Sequence, residues 1–390
     1  MTLVSCFHHF QNDNIIRNLN RNYIFDFLNR IWTGHRKGIN GENMNIVVLA
    51  GGTSTERAIS IISGTEICKA LRSKGERAIL VDIFCGVPEY DPEDIFPEQY
   101  DVAAASQLMR SYDDKIGQMK KERRSFFGPH VLELCEKADI VFLGLHGANG
   151  EDGKVQAAFD LMGIRYTGTG YLSSAMAMDK GITKQMFRMN GVPTPKGCTM
   201  LQNSIVKDIG KLGLSFPVVV KTCCGGSSVG VYIVKDQEEY ERALKAAFTY
   251  EGEVVVEEYI DGREFSVAVV DGKAYPVIEI QPLTGFYDYT NKYKPGSTIE
   301  TCPAQIPAEL TKKMQQIAEA GAAALQMEGY SRYDFIMKDN GDMYCLEANT
   351  LPGMTPTSLI PQEAAVLGMT FADLCMELIR VSMKKYEDGE

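Results

Sequence analysis

The sequence lacks the features that mark several broad classes of protein. Its 10 cysteines form no CxxC pair and it has only 5 histidines, which argues against a zinc site or a disulfide framework. No apolar run approaches the roughly 18 residues of a membrane span, and the N-terminus lacks the apolar core of a secretory signal. A net charge of -11 disfavours nonspecific binding to nucleic acid or anionic membranes. These absences predict a cytoplasmic protein that acts on a small molecule.

The common phosphate-binding motifs are also missing. Residues 51–56, GGTSTE, follow a predicted strand without forming GxGxxG, and the chain has no GxxxxGK[ST]. Residues 225–230, GGSSVG, join two β-rich segments, whereas a Walker loop leads from a strand into a helix. Backbone N–H groups of such a hairpin can still bind phosphate, and Lys180 and Lys221 could add cationic contacts. The alternative is an ordinary mobile turn.

The chain is long and apolar enough for several folded domains. Its 390 residues, of which 45% are hydrophobic, predict about two or three domains. Residues 1–43 differ from the rest because they are rich in Asn and Arg, contain the only Trp and show no helical or strand period. We expect the ordered pattern to begin at Met44, and our hypothesis is that Met44 is the true start of the protein; the alternative is that residues 1–43 form a genuine disordered arm.

Strands alternate with helices after Met44. Strand-like runs at 45–50, 78–84 and 138–147 are separated by helical segments, which predicts an open, mainly parallel sheet. Ligands of such sheets bind beyond the carboxyl ends of the strands, where Glu56 and His146 both fall. A glutamate would repel phosphate, so Glu56 suits an ammonium group better. His146 is either a hydrogen-bonded core histidine or a functional one.

Residues 332–349 predict a hairpin that brings two carboxylates together. The pair Asn340–Gly341 is typical of a two-residue turn, which places Asp334 opposite Glu347. The same register sets three further pairs, namely Arg332 with Asn349, Ile336 with Cys345 and Phe335 with Leu346. Directly opposed side chains lie about 5 Å apart, and like charges at that distance are destabilising.

A divalent cation would relieve this repulsion. Carboxylate and amide oxygens are hard ligands, so Asp334, Glu347 and Asn349 predict Mg²⁺ or Mn²⁺, completed by water and nucleotide phosphate. Arg332 beside that ion predicts a clamp for phosphate or for an oxyanion. A surface hairpin with solvated charges is the alternative, which the apolar neighbours disfavour. Glu257 and Glu258, at the end of another predicted strand, could grip a nucleotide or form a solvated acidic edge.

Taken in order, the motifs resemble those of a known family. They are GGTSTER, LHGANGEDG, YTGTG, MDK, GGSSVG, FYDYTNKY, SRYDFIM and CLEANTLPGMTPTSLIPQ. Together they resemble the ATP-grasp carboxylate–amine ligases, and within them the D-alanine:D-alanine ligase family, from Met44 to the end. The resemblance implies a mixed α/β ATP-grasp fold. Its three domains would span 44–168 (Rossmann-like), 169–260 and 261–390, with ATP between the last two.

The resemblance also implies a role for each matching residue. Nucleotide contacts would come from Lys180, Lys221, Ser228, Glu257, Glu258, Ile260, Glu264 and Lys292. Metal ligands would be Asp334, Glu347 and Asn349, holding two Mg²⁺ or Mn²⁺ ions. Substrate contacts would be Glu56 on the first ammonium, His146 near the first carboxylate, and Ser358 with Leu359 on the second carboxylate. Ser227 and Tyr293 would join Glu56 in a hydrogen-bonded set, while Arg332 and the N–H of Gly353 would form an oxyanion hole.

The activity implied is ATP-dependent ligation of two D-alanines through an acyl phosphate, for peptidoglycan precursor synthesis, by a homodimer. Two alternatives stay open: a relative that makes D-alanyl-D-lactate or D-alanyl-D-serine, and a nucleotide-binding regulator that has lost catalysis. Tyr293 favours the amine-using enzyme. The chain departs from the family pattern with Thr222, Cys223 and Cys224 before the Gly/Ser loop, which suggests the hypothesis that oxidation of these thiols alters activity.

Overall fold

The computed structural model describes residues 43–226, 230–283 and 297–387. Its first sheet is parallel, as the alternating pattern predicts. Strands β1 (Asn45–Ala50), β2 (Arg77–Asp82) and β3 (Ile140–Leu143) lie in the order β2-β1-β3. Because helices cover both faces of a parallel sheet, the central residues of its strands are apolar, and β1 is buried from Ile46 onward.

Helices surround this first sheet. They are α1 (Arg57–Ser73), α2 (Val102–Arg110), α3 (Ile116–Glu122), α4 (Val131–Glu136) and α5 (Lys154–Met162). Helix α1 starts directly after the GGTSTE turn. It ends before Gly75, whose φ of +93° is the left-handed conformation that commonly stops a helix.

A second, antiparallel sheet follows two short helices, α6 (Tyr171–Met178) and α7 (Lys180–Met189). Its strands are β4 (Gly197–Leu201), β5 (Val218–Thr222), β6 (Val231–Val234) and β7 (Glu253–Glu258), in the order β4-β7-β5-β6. Helix α8 (Gln237–Ala247) packs on one face and buries Tyr240 and Leu244 against the valines of β5 and β7. The Gly/Ser segment begins three residues after β5 ends at Thr222.

The third sheet is also antiparallel and carries the predicted hairpin. Its strands are β8 (Arg263–Val270), β9 (Lys273–Ala274), β10 (Ile278–Pro282), β11 (Thr298–Thr301), β12 (Tyr330–Met337) and β13 (Met343–Asn349). The order is β11-β10-β8-β12-β13, with β9 paired to β8. Helix α9 (Ala308–Ala324) packs against one face. Helices α10 (Leu359–Val366) and α11 (Phe371–Met383) pack against the other.

One apolar core joins the third sheet to the first. The side chains of Leu374 and Ile379 on α11 cluster with Ile61 and Leu71 on α1, and Tyr330 of β12 belongs to the same cluster. Burial of this much apolar surface fixes the two sheets relative to each other. Among the residues that the structure describes, no helix combines the length and apolar content needed to cross a membrane.

The hairpin confirms the pairing of the two acids but corrects the turn. Asp334 lies opposite Glu347 and Arg332 opposite Asn349, as predicted. The loop, however, has three residues: Lys338 N donates to Asp342 O, and Gly341, with φ +83°, ends the turn.

A β-bulge restores the predicted pairing in the part of the hairpin farther from the loop. Phe335 pairs with Cys345 and Ile336 with Tyr344, so the predicted pairs of Ile336 with Cys345 and of Phe335 with Leu346 are wrong. Leu346 is the extra residue, because the register shifts by one between Asp334 and Phe335. The extra loop residue shifts the pairing by one position and the bulge shifts it back. Asp334 and Glu347 therefore pair as they would in a hairpin with a two-residue loop and no bulge.

Candidate active site

A cavity of about 350 Å³ opens where loops of the first sheet meet the other two sheets. Its lining gathers nine of the predicted residues: Glu56, His146, Lys180, Arg332, Glu347, Asn349, Gly353, Ser358 and Leu359. Residues that are up to about 300 positions apart in the chain thus share one space. This convergence is what a substrate pocket requires.

The other predicted residues fall into two groups. Those placed by the structure outside the cavity lining are Lys221, Glu257, Glu258, Ile260, Glu264 and Asp334. Those outside the described residues are Ser227, Ser228, Lys292 and Tyr293. The hydrogen-bonded set of Glu56, Ser227 and Tyr293 therefore stays a prediction.

Glu56 occupies one end of the cavity. It immediately precedes α1, and its carboxylate lies between two glycines of other segments. A Cβ on Gly147 would lie 2.8 Å from Glu56 Oε2, and one on Gly226 would lie 3.2 Å away. Only glycine leaves room at Gly147, whose φ is +71°. The carboxylate is thus confined against the base of the Gly/Ser segment.

His146 is hydrogen-bonded through both ring nitrogens. Its Nδ1 lies 3.0 Å from the carbonyl oxygen of Leu351, which can only accept, so we assign the proton to Nδ1. Nε2 then accepts from the Ser63 hydroxyl at 2.9 Å. The imidazole, which is 7% exposed, ties the loop after β13 to α1 beside Glu56. A contact with a substrate carboxylate stays a prediction.

Two cations neutralise the acid pair of the hairpin. Arg332 donates from Nε and Nη2 to the two oxygens of Asp334 at 2.9 and 2.8 Å. Lys180 Nζ lies 3.4 Å from Glu347 Oε2. Asp334 also accepts from Ser266 Oγ at 2.8 Å and from Asn349 Nδ2 at 3.1 Å. Protein cations thus stand where the sequence analysis expects a metal ion.

The donor set of the hairpin fits Mg²⁺ or Mn²⁺. Two carboxylates and one amide converge there, and Mg²⁺ usually takes only one or two protein carboxylates and fills its octahedron with water and phosphate oxygens. The described part of the chain has no cluster of three or more His, Cys, Asp or Glu residues that could hold a metal ion. To ligate such an ion, Asp334 would have to give up one of its two hydrogen bonds from Arg332.

A buried ionic cluster lies beyond Lys180 and was not predicted as such. Glu257, 2% exposed, forms ion pairs with Lys221, whose Nζ lies 2.6 Å from Oε1, and with Lys184, whose Nζ lies 2.5 Å from Oε2. Burial raises the pKa of Glu257, but the two ammonium groups outweigh it and leave the pKa below its ordinary value. Burial lowers the pKa of Lys184 to about 8, against the opposing effect of Glu257.

Lys184 is the residue that the sequence analysis missed. It follows Lys180 by four positions, so the two ammonium groups share a face of α7, and this spacing was visible in the sequence. Thr194 Oγ1 lies 3.0 Å from Lys184 Nζ. Because Asp179 caps α7 by accepting from Ile182 N at 2.9 Å, the MDK motif both starts the helix and aims its lysines.

The remaining residues predicted for the nucleotide lie at the junction of β7 and β8. The Glu258 carboxylate accepts from Lys196 N at 2.9 Å, and its own N–H donates to Lys196 O at 2.8 Å. Ile260 is 3% exposed, and Glu264 lies on β8 between Ile336 and Ile280. Their contacts with a nucleotide stay predictions.

The opposite end of the cavity is built around the start of α10. Ser358 directly precedes that helix, and its Oγ accepts from Thr355 N at 3.0 Å. A Cβ on Gly353 would lie 2.9 Å from Ser358 Oγ, so glycine allows the two segments to approach. Leu359 packs against Ile278 and Ile280. Backbone N–H groups at a helix start are suited to a carboxylate.

Arg57, which follows Glu56, points into the protein and organises the GGTSTE turn. Its Nη2 lies 2.7 Å from Asp82 Oδ2, its Nη1 donates to Gly52 O at 2.9 Å, and its Nε donates to Asp113 at 2.8 Å. The side chain is 8% exposed. Arg57 therefore fixes the turn whose last residue, Glu56, lines the cavity.

The paired thiols after β5, Cys223 and Cys224, both have a raised pKa. Burial raises the pKa of Cys224 to about 11, and the pKa of Cys223, which is 1% exposed, is raised still further by burial. Because the pKa of each thiol is raised, both groups are protonated at neutral pH, whereas the reactive form of cysteine is the thiolate. Cys224 is exposed whereas Cys223 is buried, and the hypothesis of oxidation-sensitive activity stays a prediction.

Comparisons with known proteins agree with this architecture. A family model described as the D-Ala D-Ala ligase N-terminus matches residues 45–169, and one described as the D-Ala D-Ala ligase C-terminus matches residues 186–380. A D-alanine–D-alanine ligase of Pediococcus pentosaceus is 42% identical over 356 residues, which cover 88% of this chain and 99% of that protein.

Solved structures show the same relationship. The D-alanine–D-alanine ligase of Bacillus anthracis, complexed with ATP, has a TM-score of 0.68 and 30% identity, and the match covers 89% of this chain and all of that one (100%). The VanG D-Ala:D-Ser ligase of Enterococcus faecalis has a TM-score of 0.70 and 29% identity, covering 87% and 100%. The chain therefore belongs to the D-alanine–D-alanine ligase family and has its mixed α/β, ATP-grasp fold.

Proposed function

We propose that the protein joins two D-alanine molecules to D-alanyl-D-alanine, converts ATP to ADP and phosphate, and so supplies a peptidoglycan precursor in the cytoplasm. The observation that carries this is the cavity, whose lining brings together Glu56, the start of α10, and Arg332 with Glu347 of the acid pair. An amino-acid site at each end and a phosphate site in the middle suit ligation of two amino acids.

The reaction has two steps. In the first, a carboxylate oxygen of one D-alanine, whose ammonium Glu56 holds, attacks the γ-phosphorus of ATP, and ADP leaves. In the second, the uncharged amine of the other D-alanine attacks the acyl carbon of the resulting acyl phosphate. Arg332 and the N–H of Gly353 stabilise the oxyanion, and the C–O bond to phosphate then breaks.

The other residues bind and position the reactants. Lys180 and Lys221 contact the phosphates, while Glu257, Glu258, Ile260 and Glu264 hold the adenosine part. Asp334, Glu347 and Asn349 would hold Mg²⁺ or Mn²⁺, which neutralises phosphate charge when it is bound. Lys292, Ser227, Ser228 and Tyr293 belong to segments that would exclude water, because water would hydrolyse the acyl phosphate.

The test is to incubate the protein with ATP, Mg²⁺ and D-alanine, alone or with D-serine or D-lactate, and then to measure ADP and identify the products by mass. D-Alanyl-D-alanine as the main product supports the proposal. A preference for the mixed D-serine product would favour the second candidate, which the similarity to the VanG D-Ala:D-Ser ligase makes specific. Absence of ADP formation would favour a regulator and contradict the proposal.

The exposed surface of the first sheet's helices supports a homodimer. Leu161 and Met162 on α5 are 91% and 39% exposed, and Tyr171 and Leu172 on the neighbouring α6 are 53% and 50% exposed. Exposed apolar side chains on neighbouring helices are typical of an interface. We place the domain boundaries near 168 and 260, so that this surface spans the junction of the first two domains.

Leu161→Glu is expected to convert a dimer into a monomer, because a charge would be buried in the interface. Light scattering coupled to gel filtration measures the change. Met189→Glu is the matched control, since Met189 is 80% exposed but lies on α7, outside this surface. Equal masses for the wild type and Leu161→Glu would contradict the placement of the interface.

Arg57→Gln is expected to raise the KM for the first D-alanine about tenfold, with a smaller change in kcat, because the GGTSTE turn would no longer hold Glu56 in place. Initial rates over a range of D-alanine and ATP concentrations separate these constants. Lys69→Gln on the exposed side of α1 is the control. A proportional loss of activity at all substrate concentrations would indicate unfolding instead of misplacement of Glu56.

A further inference from the structure

The proposed reaction needs two separate sites for ammonium groups. Each D-alanine enters as a zwitterion, so each brings one carboxylate and one ammonium group to the cavity. The residues assigned above account for the first ammonium, at Glu56, and for the second carboxylate, at Ser358 and Leu359. The second ammonium still needs an acceptor, because a charged group that loses water must gain an opposite charge or hydrogen bonds.

Of the described residues that line the cavity, four are acidic: Glu56, Glu151, Glu300 and Glu347. Glu347 belongs to the metal-binding hairpin and lies near Lys180. Glu151 accepts from Gly147 N at 3.1 Å and lies 3.6 Å from His146 Nδ1, which places it at the Glu56 end. Of the four acids, only Glu300 has been assigned neither to the Glu56 end nor to the metal-binding hairpin, so it is the candidate for the end of the cavity near α10.

Glu300 is tied to the start of α10. It lies on β11 opposite Ile280, and Gln362 of α10 donates from Nε2 to Glu300 Oε2. The same Nε2 donates to Thr357 O at 2.9 Å, and the Gln362 N–H donates to Ser358 O at 3.3 Å. Gln362 therefore joins Glu300 to the turn that would hold the second carboxylate.

The surroundings of Glu300 suit a cation. Burial raises the pKa of this carboxyl group, while the hydrogen bond from Gln362 and the charge of Arg332 act in the opposite direction. A partly desolvated carboxylate attracts an ammonium group more strongly than a fully hydrated one does, because water screens the charges less.

We propose that Glu300 binds the ammonium group of the second D-alanine and accepts its proton before attack. The inference rests on the proposed function. One ammonium proton passes to a Glu300 oxygen, and the freed lone pair of nitrogen forms the C–N bond to the acyl carbon while the carbonyl π electrons move to oxygen as the oxyanion. The oxyanion then reforms the carbonyl as the C–O bond to phosphate breaks, and the departing phosphate takes up the second N–H proton, which leaves a neutral amide. Phosphate leaves with the electron pair of that bond. Glu300 would also disfavour D-lactate, whose hydroxyl group carries no positive charge.

Glu300→Gln tests this role. The variant keeps the shape of the side chain and loses its charge, so the KM for the second D-alanine is expected to rise about 10- to 100-fold. The KM values for ATP and for the first D-alanine should stay within about twofold. Glu300→Asp, which keeps the charge, should recover part of the loss. The control is Glu279→Gln on the neighbouring β10, outside the cavity lining.

Hydroxylamine gives a second readout because it is a small uncharged nucleophile that traps acyl phosphates. Wild type and Glu300→Gln should form the D-alanine hydroxamate at equal rates, since the first step does not use Glu300. A parallel fall of hydroxamate and dipeptide, or a second KM within about twofold of wild type, would overturn the proposal. Absence of ADP formation by the wild type would instead contradict the proposed function.

Discussion

A Glu347→Gln variant is expected to turn over at least about 100-fold more slowly than the wild-type protein at saturating substrates. The amide removes one of two anionic oxygen donors that the hairpin offers to Mg²⁺ or Mn²⁺. It also leaves Lys180, now 3.4 Å from Glu347 Oε2, beside a neutral group. Steady-state kinetics over a range of Mg²⁺ concentrations measure the effect.

Binding of Mn²⁺ in the presence of a nonhydrolysable ATP analogue, followed by electron paramagnetic resonance, provides an independent readout of the same variant. Affinity for Mn²⁺ should fall together with turnover. Asp339→Asn, an acid-to-amide change at the exposed turn of the hairpin, should leave both unchanged. Near-normal turnover of Glu347→Gln at saturating Mg²⁺ would refute the assignment of this ligand.

Replacement of Lys184 by methionine is expected to lower the free energy of unfolding by about 3 kcal/mol. Lys184 is 1% exposed and shares the buried Glu257 with Lys221. Without it, Lys221 alone must neutralise a carboxylate that water cannot reach. Denaturant titration measures the loss, and the KM for ATP should rise because Lys221 would neutralise Glu257 alone and be less available to the phosphates.

Arg242→Met is the matched control for this change. Arg242 forms an ion pair with Glu238 on α8, but both side chains are largely exposed, so the pair should contribute little. An unfolding transition of Lys184→Met that coincides with the wild-type transition would show that Lys221 alone compensates for Glu257.

The hairpin shows which strand pairings the local sequence pattern can predict and which it cannot. Alternation and the Asn340–Gly341 pair predicted that Asp334 faces Glu347, and this is confirmed. The same rules placed Ile336 opposite Cys345, which is wrong. A three-residue loop and a bulge at Leu346 change the pairing of the residues between the loop and the bulge. A bulge depends on how the strand packs on its neighbours, so alternation cannot reveal it.

Ion pairs were harder to predict than strands. The spacing of Lys180 and Lys184 indicates a common helix face, but not that Glu257, more than 70 residues later, receives the second ammonium. Likewise, nothing local to Glu300 marks it as a cavity residue. Its position depends on Gln362 and on the packing of α10 against the sheet.

The amino-acid sequence by itself determined the strand–turn–helix units, the parallel first sheet and the meeting of Asp334 with Glu347, because period and turn residues act over a few neighbouring positions. Only the tertiary structure decided which charges pair in the cavity. His146 meets Leu351 across 205 positions, and Lys184 meets Glu257 inside the protein. Such contacts depend on how the sheets pack, since burial makes each unpaired charge costly and so selects its partner.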